Sequence, residues 1–147
     1  PFKSVIYGTL GDAQSRLEDH EASDRSFELA LRYDSENHNA MNNYAYNLSV
    51  RGEHLERAKE LALKAIELDS ENAAYLDTVG WVYYKLGDYD RARRFIKASI
   101  DTGEKSAEVM EHLGDVYEKL GDLDKAREWW KKALELDTTR EHLNEKI

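Results

Sequence analysis

The chain has 147 residues, room for one domain of ordinary size. Its 21 Lys and Arg against 30 Asp and Glu leave a net charge of −9, which argues against a nucleic-acid backbone or an anionic membrane surface as the main partner. No cysteine is present, so disulfides, thiolate zinc sites and a cysteine nucleophile are excluded. The 3 Trp, 9 Tyr and 3 Phe set the chain apart from acidic disordered tails, and a single Pro favours long helices over a turn-rich sandwich. No apolar run approaches the roughly 18 residues of a membrane span, so direct membrane insertion is not expected. Pro1-Phe2-Lys3-Ser4 does not open like a secretory signal. Without Met at position 1, the chain reads as a piece of something longer, with targeting signals left open.

Internal repetition organises the sequence. Val79-Gly80-Trp81-Val82-Tyr83-Tyr84-Lys85-Leu86-Gly87-Asp88 matches Leu113-Gly114-Asp115-Val116-Tyr117-Glu118-Lys119-Leu120-Gly121-Asp122 at an offset of 34. Extending that step gives four units, about 4–37, 38–72, 73–106 and 107–140. The first is the most degenerate, carrying Leu10, Gly11, Gln14, Glu18, Ser23, Phe27 and Ala30. The second has Tyr44, Ala45, Leu48, Gly52, Ala58, Ala62 and Ala65, with one extra residue in the turn from Gly52 to Ala58. In the third, Tyr75, Val79, Val82, Tyr83 and Leu86 recur at helical spacing. After Gly87-Asp88, so do Tyr89, Ala92, Phe95, Ile96, Ser99 and Ile100. The fourth repeats the pattern with Met110, Leu113, Gly114, Tyr117, Gly121, Ala126, Trp130 and Ala133. Each unit is therefore expected to be two antiparallel helices that bury their stripes by stacking on neighbours. Residues 139–147 are expected to form a capping helix, with Leu143 and Ile147 over the open end. Trp130 takes the bulky core position and Trp129 is expected to pack under that cap.

With those residues in place, the chain resembles the tetratricopeptide repeat family over about residues 4–140. Its usual proline near the end of each unit is replaced here by Ser35, Ser70, Glu104 and Thr138, while Asn37, Asn72 and Ser106 are placed to cap the next helix. The resemblance implies an all-α, right-handed α-solenoid of four helix-turn-helix units plus the capping helix, as a single domain over 1–147.

The resemblance also implies that four positions of each first helix face an inner groove. They are Val5, Gly8, Asp12 and Ser15, then Asn39, Asn42, Tyr46 and Ser49. The third unit gives Ala74, Asp77, Trp81 and Tyr84, and the fourth gives Glu108, Glu111, Asp115 and Glu118. Six of these sixteen are acidic and none is basic. Asn side chains offer donor and acceptor to an extended backbone, Trp and Tyr offer apolar faces, and the carboxylates favour Lys or Arg on the guest. The expected site is therefore Asn39, Asn42, Asn43, Tyr46, Asp77, Trp81, Tyr84, Glu108, Glu111 and Asp115. The expected guest is a protein or peptide with an apolar or aromatic anchor and flanking basic residues. Some family members grip the C-terminal carboxylates of heat-shock chaperones with Lys, Asn and Arg. In one register those positions are Gly8, Asp12, Asn43, Ala74 and Thr78, and in the other Asn42, Tyr46, Thr78, Glu108 and His112. Only Asn43 fits, so a carboxylate clamp is not expected.

Signatures of catalysis are missing. The histidines at 20, 38, 54, 112 and 142 have no ligand spacing, and Glu-His-Leu at 53–55, 111–113 and 141–143 lacks a second zinc ligand. No phosphate-cradling loop or nucleophile elbow occurs, so neither enzyme chemistry nor a cofactor or metal is expected. An adaptor or scaffold that binds a partner's peptide or helix is the expected function. The alternatives are an interaction module of a larger enzyme or regulator, and a unit that self-assembles through its terminal repeats. Asn42-Asn43-Tyr44-Ala45-Tyr46 and Leu76-Asp77-Thr78-Val79-Gly80-Trp81 are similar to bacterial members of the family, some of them envelope lipoproteins that recruit other proteins. Cytoplasm and bacterial envelope both stay open.

Overall fold

A computed structural model describes residues 2–147. Eight α-helices follow one another: α1 (Phe2–Arg16), α2 (His20–Tyr33), α3 (His38–Arg51), α4 (Leu55–Leu68), α5 (Ala73–Leu86), α6 (Tyr89–Asp101), α7 (Ala107–Lys119) and α8 (Leu123–Leu136). No strand occurs among the described residues. The breaks between helices fall at the repeat boundaries and at the mid-unit turns read from the sequence. Asn37, Asn72 and Ser106 do cap α3, α5 and α7, their side chains accepting from the amides of Ala40, Tyr75 and Val109. Asp19, Asp88 and Asp122 do the same for α2, α6 and α8. Among α2 to α8, α4 alone starts without a side-chain cap. His54 stands there at φ 49°, where the one-residue-longer turn has displaced the Asp of the other units.

Contacts divide the chain into two compact units, one ending at Ser70 and the other running Glu71–Ile147. Each contains two helix pairs. In the first, Phe27, Ala30, Tyr44, Ala45, Leu48, Ala58, Ala62 and Ala65 form the core, with the Phe27 and Tyr44 rings stacked at 5.2 Å. Ile96, Val109, Leu113, Val116, Tyr117, Trp130 and Leu143 form the second. Small residues set how closely the paired helices approach. Ser4 Oγ donates to the Ala30 carbonyl at 2.7 Å in α1/α2. Ser99 Oγ donates to the Ala73 carbonyl, also at 2.7 Å, in α5/α6. These are the same two repeat positions with donor and acceptor exchanged, a contact that only small side chains permit.

The C-terminal segment differs from the expected α-helix. Residues Glu141–Glu145 form a 3-10 helix, in which the Leu143 amide bonds the Arg140 carbonyl and the Lys146 amide bonds that of Leu143. Three residues per turn put Arg140, Leu143 and Lys146 on one side. Leu143 does cover the end of the last unit and has no exposed surface. It takes the repeat position held by Val109, Tyr75 and Ala40, all buried; Ile6, the same position in α1, is 61% exposed. Trp130 is buried, while Trp129 is only partly so, with the Lys132 ammonium 4.2 Å from its ring.

Gly114 lies against the Trp130 indole, and a methyl group there would overlap Trp130 Cδ1 and Nε1. Gly114→Ala gains about 1 kcal/mol of helix propensity but must push a buried, rigid ring off its rotamer. A net loss of about 1–2 kcal/mol in urea unfolding is expected. A stabilised variant would show that the two helices can separate freely.

Candidate functional site

In the half ending at Ser70 the inner row of α3 is rich in amides. Asn39 is exposed on the first turn of α3, whereas Asn42 is 8% exposed. Asn42 Nδ2 donates to Asn43 Oδ1 at 3.3 Å, and Asn43 Nδ2 donates to Asp12 Oδ2 at 3.1 Å, tying α3 back to α1. Asn42 Oδ1 is buried without a hydrogen-bond partner among the described residues. Burial raises the Asp12 carboxyl above its ordinary value, against the opposing pull of the Asn43 hydrogen bond and the Arg16 charge. Tyr46 is half-buried. A small cleft between α1 and α3 is lined by Val5, Gly8, Asp12, Asn39 and Asn43. It can hold backbone or a small side chain, and its lining includes no Lys or Arg that would hold a carboxylate.

In the half running Glu71–Ile147 the row is aromatic and acidic. Trp81 stacks nearly parallel on Tyr84, one turn on, at 4.4 Å, and on the His112 imidazole of α7 at 3.9 Å. Tyr84 also meets the edge of Tyr89 at 5.5 Å. Burial pushes the Tyr84 hydroxyl up to about 12, with the charges of Asp115 and Glu118 adding to it. Trp81 and Tyr84 keep part of their surface exposed, so they form a shelf held from below rather than free anchors. Asp77 is buried at 5% exposure, its two oxygens 3.0 and 3.1 Å from His112 Nδ1. The Glu108 side chain, 45% exposed, approaches His112 Nε2 at 3.8 Å.

The remaining acids are occupied by the chain itself. Glu111 accepts from Arg140 at 2.7 Å and lies 3.0 Å from His142 Nε2. Asp115 accepts from the Trp130 indole at 3.0 Å and from Lys146 at 2.9 Å. Burial alone would raise the Glu111 carboxyl, but hydrogen bonds from His142 and Arg140 outweigh it and hold the group below its ordinary value. Of the ten residues expected to face a guest, Asn42 and Asp77 are thus buried, and Glu111 and Asp115 are engaged in cis. Asn39, Tyr46, Trp81, Tyr84 and Glu108 retain accessible surface. Sequence reasoning missed His112 as a structural partner. The signal was its separation of 35 residues from Asp77, one more than the repeat, which puts the two on facing turns of neighbouring first helices.

No cluster of three or more His, Cys, Asp or Glu able to hold a metal occurs among the described residues, and no described helix is long and apolar enough to cross a membrane. His112 has a different consequence. Burial works against its protonation, but the Asp77 charge and hydrogen bond, with Glu108 and Asp115 behind them, win and raise its pKa above 6.5. A raised folded-state value means the pair stabilises fully below about 6.5 and loses that contribution as pH climbs through the raised value. His112→Gln is therefore expected to cost about 2 kcal/mol at about pH 6 and distinctly less at about pH 9. Denaturation curves at the two pH values check this, and an equal penalty at both refutes the ion pair.

Comparison with known proteins fits this geometry. The tetratricopeptide repeat family matches residues 79–141 and again residues 5–37. A TPR repeat-containing protein of Pseudomonas aeruginosa is 31% identical over 72 residues, 49% of this chain; the match spans only 12% of that protein's length. Among solved structures, PilF of Pseudomonas aeruginosa superposes with a TM-score of 0.84 at 24% identity, over 96% of this chain and 64% of that one. The MamA protein superposes with a TM-score of 0.79 at 21% identity, over 99% of this chain and 79% of that one. The fold is thus an all-α helical-repeat solenoid. The chain belongs to the tetratricopeptide repeat family, whose fold serves protein–protein interaction in general.

Proposed function

We propose that this chain is a non-enzymatic interaction module that holds a peptide or helical segment of another protein against the inner rows of its first helices. The observation that carries it is the Trp81–Tyr84 shelf. The Trp81 and Tyr84 rings are stacked face to face at 4.4 Å, Trp81 is braced by a second stack on His112, both keep part of their surface open, and the carboxylates Glu108 and Glu118 stand nearby. A rigid aromatic surface loses little side-chain entropy on binding, and adjacent carboxylates favour a guest carrying Lys or Arg. The half ending at Ser70 supports the same use differently, through exposed Asn39, the cleft along Asp12 and Asn43, and half-buried Tyr46. Asn42 and Asp77 support these surfaces from beneath.

A chain carrying Tyr46→Ala, Trp81→Ala and Tyr84→Ala is expected to lose capture of its partner by at least about tenfold in a pull-down from source-cell extract, with helicity unchanged by circular dichroism. Undiminished capture by a folded variant would end this reading.

A second reading rests on α1. Val5, Ile6 and Leu10 are 61%, 61% and 41% exposed, although Val109 and Leu113, at the positions of Ile6 and Leu10, are buried by a preceding second helix. A second copy of the chain could cover this face. Sedimentation equilibrium should then show concentration-dependent dimers that Ile6→Lys with Leu10→Lys abolishes. A native monomer at every concentration eliminates self-association.

A further inference from the structure

Trp81 stands between two other rings. Tyr84 lies nearly parallel to it at 4.4 Å and the His112 imidazole at 3.9 Å. A ring stacked that closely covers most of an indole face. The two therefore occupy opposite faces, and the surface that Trp81 keeps open is its rim. The column runs from buried His112 through Trp81 to Tyr84, and Tyr89 meets Tyr84 edge-on at 5.5 Å. Its inner end is the anchored one. His112 is 7% exposed, and its Nδ1 donates at 3.0 Å to the carboxylate of Asp77, which is 5% exposed.

The charge on His112 decides what Trp81 has beneath it. Protonated, the imidazole is a desolvated cation on the negative face of an indole, the geometry of a cation–π pair. Asp77 of α5 accepts from Nδ1, Glu108 of α7 lies 3.8 Å from Nε2, and Asp115 adds its charge from the next turn. Burial works against the proton, but these three acids outweigh it and hold the pKa above 6.5. α6 and α8 pack on α7 through apolar residues, among them Ile96, Val109, Leu113 and Trp130. Glu111, beside His112 in sequence, is taken up by Arg140 and His142, and Lys85 stands 5.7 Å from the centre of the Trp81 ring. In the neutral form Asp77 keeps the remaining proton on Nδ1. The lone pair of Nε2 then faces the Glu108 carboxylate, and the cation–π attraction is gone.

We propose that Asp77 and His112 are positioning residues for the aromatic shelf, and that the proton His112 carries sets how firmly Trp81 presents its rim to a guest. Both lie beneath the surface: Asp77 orients the imidazole, and the imidazolium holds the inner face of the indole. The inference rests on the interaction-module reading above and names the regulation of that surface. A guest that needs Trp81 in this position binds the protonated chain better. Capture is therefore fullest below the His112 midpoint and declines as pH rises through it, and by linkage the bound guest raises that midpoint. A merely structural pair would cost stability when broken, yet would leave guest capture by the folded chain indifferent to its protonation.

Proton–nitrogen correlation spectra of the native chain, taken between about pH 5.5 and 9, test this without a substitution in the measured protein. The Trp81 indole resonance is assigned by its loss in Trp81→Phe. It is expected to move with the same midpoint as the His112 imidazole, above 6.5, while the Trp129 indole stays fixed. Asp77→Asn keeps a hydrogen-bonding group but removes the charge, so both midpoints should fall together. Capture of the partner from source-cell extract is then followed over the same range with native and Asp77→Asn chains. The partner is the same for both, so a displaced pH profile belongs to this pair. At the native His112 midpoint the variant is expected to capture at least about threefold less. A Trp81 indole that stays still while His112 titrates overturns the proposal, and so does a capture profile that Asp77→Asn leaves in place. Should Asp77→Asn not fold, the native titration still decides. If the indole stays still while the Tyr46, Trp81 and Tyr84 variant loses its partner, only the coupling to His112 fails. If Trp81 follows His112 but that variant captures its partner normally, the interaction-module reading is the part that fails.

Discussion

The close approach of the two helices within each pair is the constraint on which the rest depends. It is set where a first helix carries Gly or Ala opposite a bulky residue of the second: Gly11 against Phe27, Gly80 against Ile96, Gly114 against Trp130. A first helix held that close has one face committed to its own partner helix and another to the neighbouring pair. The remaining face must take whatever chemistry the sequence assigns to it. Function in this architecture is therefore written on a surface that packing leaves over. That explains how the inner rows of the two units can differ so much while their cores follow one pattern.

The two inner rows also show how a repeat copes with polar groups near its core. Asp12, Asp77 and Glu111 each meet a residue of the following segment: Asn43, His112, and Arg140 with His142. Lone buried carboxylates would be costly, and each is met by a donor from about one repeat further along. The acidity visible in the sequence is thus partly internal wiring. On the interaction-module reading proposed above, what remains for a guest is the aromatic shelf and the acids at its margin.

Helix positions, turn glycines and caps were legible because each follows from local rules. Asn37, Asn72 and Ser106 precede apolar periodic runs, and Gly52, Gly87 and Gly121 supply the positive φ that ends a first helix. In the degenerate first unit, where no glycine occupies that turn, Glu18 takes the left-handed backbone itself at φ 61°. Less legible was which inner-row residues stay open. Asp77 and Asn42 occupy row positions yet are buried, and nothing local distinguishes them from Trp81 or Asn39. The fate of Glu111 and Asp115 depended on a segment about thirty residues downstream whose 3-10 winding, rather than α-helical winding, brings Arg140, Leu143 and Lys146 into line.

The distribution of tryptophan has an experimental consequence. Trp81, Trp129 and Trp130 all belong to the half running Glu71–Ile147, and the half ending at Ser70 has none. Indole emission therefore watches one half alone, while far-ultraviolet dichroism sums the helices of both. In a repeat architecture, where stability is shared only between neighbours, the two signals need not superimpose. Their divergence, or its lack, would measure how strongly one pair of repeats depends on the other without any label being introduced.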